Sequence, residues 1–364
     1  MRFNIEASCG SARAGVISTA RGDIATPAFM PVGTLGQVRG VPPVELAALG
    51  FDIMLANTLH LWLRPGEDII AAHGGLHGFA GWRRAILTDS GGFQLFSLRA
   101  RCKINDDGAY FRAPHNGEER LLTPEKCMAI QRALGSDIVM VLDDCPPAGG
   151  NEGDIACSMR RSMAWAQRCK TAHGDNAAAL FGIVQGGIFQ SLRDESADAL
   201  MAVGFDGYAI GGLAVGESKD AMSDILSATV RRLPMTQPRY LMGVGTPLDI
   251  AQAVAVGVDM MDCVMPARNG RNGKLFTTTG TLNIRNACHR RDLSPPDENC
   301  TCAVCRVYSK AYLHHLFAVN EMLAARLMTL HNLAHYRALM GDLRAAIVDG
   351  NLSSLIKEIG ARCK

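Results

Sequence analysis

Three apolar runs in this chain each stop at an aspartate: Ala85-Ile86-Leu87-Thr88-Asp89, Ile138-Val139-Met140-Val141-Leu142-Asp143 and Val258-Asp259-Met260-Met261-Asp262. A carboxylate at the end of a buried strand can serve as nucleophile, as proton carrier or as acceptor for a ligand's N–H groups. Any one of them is as readily a helix N-cap, so the three gain meaning only if one architecture gathers them. A second chemical cluster is Cys300-x-Cys302-x2-Cys305. That spacing suits one tetrahedral ion and poorly suits disulfides among its own members. Zinc in a closed structural site is the expected occupant, and spacing leaves the fourth ligand open among Cys288, His289, His314, His315, His331 and His335. A third feature is a basic stretch: Arg268, Arg271, Lys274, Arg285, Arg290 and Arg291 lie between Val264 and Arg291 with no acidic residue among them. Such charge beside Asp262 could hold phosphates.

These residues sit in a chain of 364 residues, 48% hydrophobic and 20% charged, enough for one large domain or one large and one small. The first residues lack a basic segment followed by an apolar run, and no window approaches a membrane span. Secretion is therefore not expected, nor is a membrane partner. Most of the twelve cysteines should then be reduced thiols or metal ligands in a cytoplasmic protein. The net charge of +2 gives no chain-wide nucleic-acid signature, which leaves the basic stretch as a local one.

The elements that must position the acids follow a cadence of helix, Gly-x-Asp and apolar run, at Gly50-Phe51-Asp52, Gly135-Ser136-Asp137, Gly204-Phe205-Asp206 and Gly257-Val258-Asp259. Thr123-Pro124 and Thr246-Pro247 read as helix starts, threonine at the N-cap and proline in the first turn, while Gly135 and Gly257 read as stops. Eight buried-looking strands are expected, at 24–32, 52–57, 85–89, 137–143, 180–185, 207–212, 240–244 and 258–262. Near-continuous apolar strands alternating with helices predict an α/β fold with a parallel sheet, and eight of them a (β/α)8 TIM barrel. An open doubly wound sheet is the alternative, but it would use one switch point. Here Asn57, Asp89, Asp143, Gln185, Gly211-Gly212, Gly243 and Asp262 end nearly every strand, which fits a ring. A hairpin insertion is expected near 100–122, turning at Asp107-Gly108, and a long amphipathic helix over 308–340. The domain reading is a catalytic barrel over 1–289 with a zinc-binding helical subdomain, 290–364, packed on it.

Thr88-Asp89-Ser90-Gly91-Gly92-Phe93-Gln94, Gly211-Gly212-Leu213-Ala214-Val215-Gly216-Glu217, Tyr240-Leu241-Met242-Gly243-Val244-Gly245 and Asp262-Cys263-Val264 through Arg268-x2-Arg271-Asn272-Gly273 together resemble bacterial tRNA-guanine transglycosylase, of the queuine tRNA-ribosyltransferase family. The likeness runs in order along nearly the whole chain and includes the cysteine cluster. It implies a zinc-bearing (β/α)8 barrel that exchanges the wobble guanine of queuosine-type tRNAs for a 7-deazaguanine. By the same likeness Asp262 is the nucleophile, Asp89 the general acid/base and His331 the fourth zinc ligand. A homodimer joined through the zinc region is implied by analogy. At Asp143-Asp144-Cys145 the chain departs from the Asp-Glu-Cys usual in bacterial members. Cys145 and Val215 favour 7-aminomethyl-7-deazaguanine as the incoming base, with queuine as the alternative.

Exchange of one base for another on the same ribose carbon, with retained stereochemistry, is most simply two displacements through a covalent glycosyl-enzyme. Asp262 must then be ionised, and Asp89 must protonate departing guanine and deprotonate its replacement. No metal need take part. Asp143 can accept from guanine's N1–H and amine, while Gln185 and the backbone N–H of Gly212 serve its other edge, beside Ser90, Gly91, Gly92 and Leu213. Phe93 and Met242 are expected to wall the base. Gly243, Val244, Gly245, Thr246, Pro247, Leu248 and Asp249 open a helix whose free N–H groups could meet phosphate, and Ala267, Arg268, Asn269, Gly270 and Arg271 follow the last strand. Together they are expected to cradle a tRNA anticodon loop with its wobble guanine flipped out. A barrel glycosidase or nucleosidase would use the same acids but leaves the basic stretch unexplained. A non-catalytic tRNA-binding subunit would not need both Asp89 and Asp262.

Overall fold

The chain starts with an antiparallel sheet, β1 (Arg2–Cys9), β2 (Ala12–Thr19) and β3 (Gly22–Thr26). The sequence reading did not anticipate this sheet. It merged β3 with the first barrel strand, whereas Pro27 lacks an N–H and ends the ladder before β4 (Ala28–Pro31) begins. The computed structural model describes residues 1–97, 102–146 and 149–362.

The other barrel strands are β5 (Ile53–Ala56) and β6 (Ala85–Thr88), then, after an insertion of β7 (Cys102–Ile104), β8 (Ala109–Arg112) and β9 (Glu119–Leu122), come β10 (Ile138–Met140), β11 (Ala179–Val184), β12 (Gly207–Ile210), β13 (Arg239–Leu241) and β14 (Met260–Cys263). All eight are parallel, in the order β4-β14-β13-β12-β11-β10-β6-β5. A parallel bridge between Val32 and Leu55, with Gly33 N–H donating to Leu55 O at 2.7 Å, closes the ring. This is the expected (β/α)8 barrel. Its strands are buried on both faces, which explains why they read as unbroken apolar runs.

The aspartates sort by end of the barrel. Those of the Gly-x-Asp cadence lie at the strand starts, and three of the four accept an N–H of a neighbouring strand: Ile86 N–H to Asp137 (2.8 Å), Leu180 N–H to Asp206 (2.9 Å) and Arg239 N–H to Asp259 (2.7 Å), while Asp52 pairs with the Arg84 guanidinium (2.9 Å). Asp259 also pairs with buried Arg13 of β2, which locks the N-terminal sheet under the barrel floor. Asp89, Asp143 and Asp262 lie at the opposite, C-terminal rim, where barrels of this kind keep their chemistry. Helix punctuation agrees with the sequence: Thr123 and Thr246 accept from Lys126 and Asp249 N–H, and Gly135 stops its helix at φ 66°.

The insertion is larger than a hairpin. Asn105 Oδ1 accepts from Asp107 and Gly108 N–H to make the expected turn, but β9 adds a third antiparallel strand to β7 and β8. Part of the expected span, residues 100 and 101, lies outside the described residues. The helix expected over 308–340 is two helices, Lys310–Ala318 and Met322–Val348, because Asn320 takes a left-handed φ of 56° between them. A hairpin, β15 (Lys274–Thr277) and β16 (Gly280–Asn283), links barrel to cysteine cluster. Helices Met322–Val348 and Leu352–Arg362 send Leu333, Tyr336, Leu343 and Ile359 into the same continuous core as the barrel strands. Among the described residues no helix is long and apolar enough to cross a membrane.

Candidate active site and metal centre

A cavity of about 410 Å³ opens at the C-terminal rim, and Asp89, Asp143 and Asp262 all line it. Each acid is held differently. Asp262, in β14, accepts at one oxygen from the Tyr240 hydroxyl (2.6 Å) and from Gly243 N–H (2.9 Å). Burial raises its pKa, and these two donors pull it back toward the ionised form. Among the described residues no other side chain or neighbouring N–H binds its second oxygen, which is available to a ligand. Asp89, just past β6, accepts from Thr58 N–H (2.8 Å), Asn57 Nδ2 (2.6 Å) and Gln94 Nε2 (2.8 Å). Burial nevertheless pushes it up to about 6, with the Asp262 charge adding to the rise. A carboxyl near 6 can both give and take a proton around neutrality.

Asp143 accepts from Ser90 Oγ (2.9 Å) and Gln185 Nε2 (2.8 Å), and burial pushes it to about 6. Gln185 Oε1 is buried without a partner among the described residues. Two glycines are dictated by closeness. A Cβ on Gly92 would stand 2.3 Å from Asp143 Oδ1, and one on Gly212, at φ +65°, 2.4 Å from Gln185 Oε1. Ser90, Gly91, Leu213 and Met242 line the cavity, as does Phe93, which is 56% exposed and stands at its mouth. Cys145 and Val215 also line it. Asp144 does not: its carboxylate turns to Arg161 (2.6 Å) and its N–H to Ser162.

Sequence reasoning missed Tyr240 as a site residue, along with Asn57, Thr58 and Gln94. Tyr240 carried a signal, since a tyrosine inside a buried strand needs a partner for its hydroxyl. Thr58 carried none, because it acts through its backbone.

A profile of the family described as Queuine tRNA-ribosyltransferase matches residues 8–364. Proteins of that description are similar throughout: one from Idiomarina loihiensis is 54% identical over 98% of this chain and 96% of its own length. One from Francisella tularensis subsp. novicida is 53% identical over 100% and 99%, and one from Nitrosomonas eutropha 56% over 96% and 97%. The chain belongs to the queuine tRNA-ribosyltransferase family.

In this family member the segments expected to meet RNA are only partly exposed. Val244, Gly245 and Asp249 are buried, Asp249 N–H is taken by Thr246 and its carboxylate by Lys219 (2.6 Å), and Gly243 N–H serves Asp262 rather than standing free. Gly243, Thr246, Pro247 and Leu248 remain accessible. In the helix Met265–Arg271, Gly270 packs on Thr329, Ala267 and Asn269 are half-buried, and Arg268 is exposed. Half-buried Arg271 has its pKa lowered by burial and by the nearby charges of Arg39 and Arg268. Arg39 therefore joins Arg268 and Arg271 in a cationic cluster beside the aspartate-lined cavity, which the sequence alone did not reveal. Arg285 instead lies 5.0 Å over the Phe317 ring.

The metal candidates also resolve. The donor atoms of Cys300, Cys302, Cys305 and His331 all lie within 4.8 Å of one another and can hold one metal ion. Nε2 of His331 faces Phe276 O at 2.8 Å, so that nitrogen carries the proton and Nδ1 is left toward the sulfurs, 3.3 Å from Cys305 Sγ. Cys288, His289, His314, His315 and His335 stand outside the cluster; His314 Nδ1 is spent on Ile284 O.

Proposed function

We propose that this chain is a tRNA-guanine transglycosylase that exchanges the wobble guanine of queuosine-type tRNAs for 7-aminomethyl-7-deazaguanine. The observation that carries the reading is the pairing, in one cavity, of a hydrogen-bonded carboxylate open on one oxygen, Asp262, with a carboxyl near neutrality, Asp89. The Asp262 carboxylate attacks the ribose C1′ while Asp89 protonates departing guanine, which leaves the tRNA bound to the enzyme as an ester. The incoming base then loses a proton to Asp89 and attacks C1′, expelling Asp262 with retention. Asp143 accepts the base's paired donors, with Gln185 and Gly212 on its other edge; Phe93 and Met242 cover its faces. Adenine, with donors and acceptors reversed, would leave buried partners unpaired.

Cys145 and Val215 in the cavity wall support the aminomethyl base, and the Asp144 carboxylate, turned toward Arg161, does not oppose it. Gly243, Thr246 to Leu248, Arg268 and Arg271 meet the anticodon loop, joined by Arg39. A single Zn2+ on Cys300, Cys302, Cys305 and His331 is structural, since Asp89 and Asp262 suffice for the proton and covalent chemistry. A cytoplasmic homodimer completes the reading. Incorporation of labelled guanine into substrate tRNA tests it, with an SDS-resistant protein–tRNA adduct expected for the native chain and none for Asp262→Asn. Undiminished exchange by Asp262→Asn would remove the nucleophile assignment.

A further inference from the structure

A second cavity, about 340 Å³, lies on the barrel flank between the β15–β16 hairpin and the helices Pro247–Ala255, Met322–Val348 and Leu352–Arg362. Its walls are largely apolar, with Leu248, Leu339, Leu355 and Ile359 facing inward. On the long helix, His335 and Asp342 are about two turns apart and share one face toward it. Among the described residues no hydrogen bond or ion pair claims either side chain, and the same holds for the Lys274 ammonium at the mouth. The His335 ring lies within 19° of parallel to Phe276, so the cavity offers flat faces as well as charge. The catalytic chemistry uses none of these groups.

We propose that this cavity binds a guanine nucleotide. A planar base fits between the apolar walls and the Phe276 and His335 rings. The Asp342 carboxylate can accept from two adjacent N–H donors, and guanine carries both N1–H and an exocyclic amine on one edge. The phosphate then meets Lys274, with Arg362 nearby but shared with Glu358 (3.3 Å) and with the Asp342 charge. The volume lies within the range of small-ligand sites. Thr246 and Met265 line this cavity, on the segments that also carry Gly243 and Asp262, so its occupant touches the supports of the proposed nucleophile.

The same chemistry can come from a free nucleotide or from a guanine nucleotide of a bound RNA. Full-length Asp143→Asn protein, with base recognition in the catalytic cavity weakened, is dialysed against labelled GMP. Saturable one-to-one binding is expected, at least tenfold weaker with AMP, and at least tenfold weaker when Asp342→Asn or the cavity-filling Leu355→Trp is added. Unchanged melting of the Asp342→Asn protein guards against a folding artefact. An anticodon stem-loop that displaces GMP assigns the site to RNA, and a ternary complex assigns it to free nucleotide. The proposal falls if GMP does not saturate and stem-loop affinity is the same in Asp342→Asn, Leu355→Trp and native proteins. Guanine exchange retained by Asp342→Asn keeps this outcome separate from failure of the transglycosylase reading.

Discussion

Tyr240→Phe isolates one hydrogen bond to the proposed nucleophile. The Tyr240 ring is fully buried and its hydroxyl donates to Asp262 at 2.6 Å, so phenylalanine keeps the packing and removes only the donor. Gly243 N–H remains on the same oxygen. A hydrogen bond to a charged group is worth about 1.5–3 kcal/mol. At about 1.4 kcal/mol per pKa unit, its loss moves the Asp262 pKa up by about 1–2 units. The donor favours the ionised form, so its removal empties the nucleophile at low pH and leaves it intact at high pH. The assay is kcat/KM for labelled guanine exchange from about pH 5 to pH 9, which reports the free enzyme's groups. The acid limb should move upward by about 1–2 units while the plateau changes little. A uniform drop across all pH values, with no displacement of the limb, would show that Tyr240 does not act through Asp262 ionisation.

Asp89 should also leave a mark on stability. Folding raises its pKa from 3.8 to about 6, so its contribution is complete below the unfolded value and is lost as pH rises through about 6. Urea unfolding of Asp89→Asn should show a gain over the native chain at pH 8, at most about 3 kcal/mol, which disappears toward pH 4. Asp259→Asn strands Arg13 beneath the barrel and should cost about 3–5 kcal/mol in urea melts, with exchange kinetics of the folded fraction unchanged. Gly212→Ala drives a Cβ onto Gln185 at a positive φ and should raise KM for guanine in steady-state exchange more than it lowers kcat. Cys302→Ser should lose bound zinc by elemental analysis; undiminished zinc would remove the four-ligand site.

The barrel was legible because its strands are buried on both faces and read as apolar runs, with Gly-x-Asp punctuation ahead of four of them; only the first was misjudged, fused with β3. The acids were legible because apolar runs ended at them. The N-terminal sheet was not, because β1 is exposed along much of its length and reads as no buried run. The break at Asn320 was hidden because nothing in a Val-Asn-Glu step forbids a helix, although asparagine is among the residues that tolerate the left-handed φ of 56° found there. His331 could not be chosen by spacing, since its selection depends on a carbonyl of β15 fixing its ring. Arg39 lies far from Arg268 and Arg271 in sequence, so their shared charge exists only in the fold.

The helix Met322–Val348, about 40 Å long, reaches more of the molecule than any strand does. His331 joins the metal set, Asn332 accepts from Phe276 N–H, and Tyr336 donates to Gly245 O. Arg337 donates to Gly50 O and Arg344 to Gly15 O. It is also synthesised after every barrel strand. While the ribosome is still adding it, the eight strands stand with an apolar flank uncovered where Leu333, Leu339 and Leu343 will sit. Chains of this size expose such surfaces to aggregation and to chaperones as they emerge. Translation stopped before residue 322 would therefore yield a sticky intermediate for the cell's quality control to remove, since that flank stays open until the helices after the last barrel strand are made.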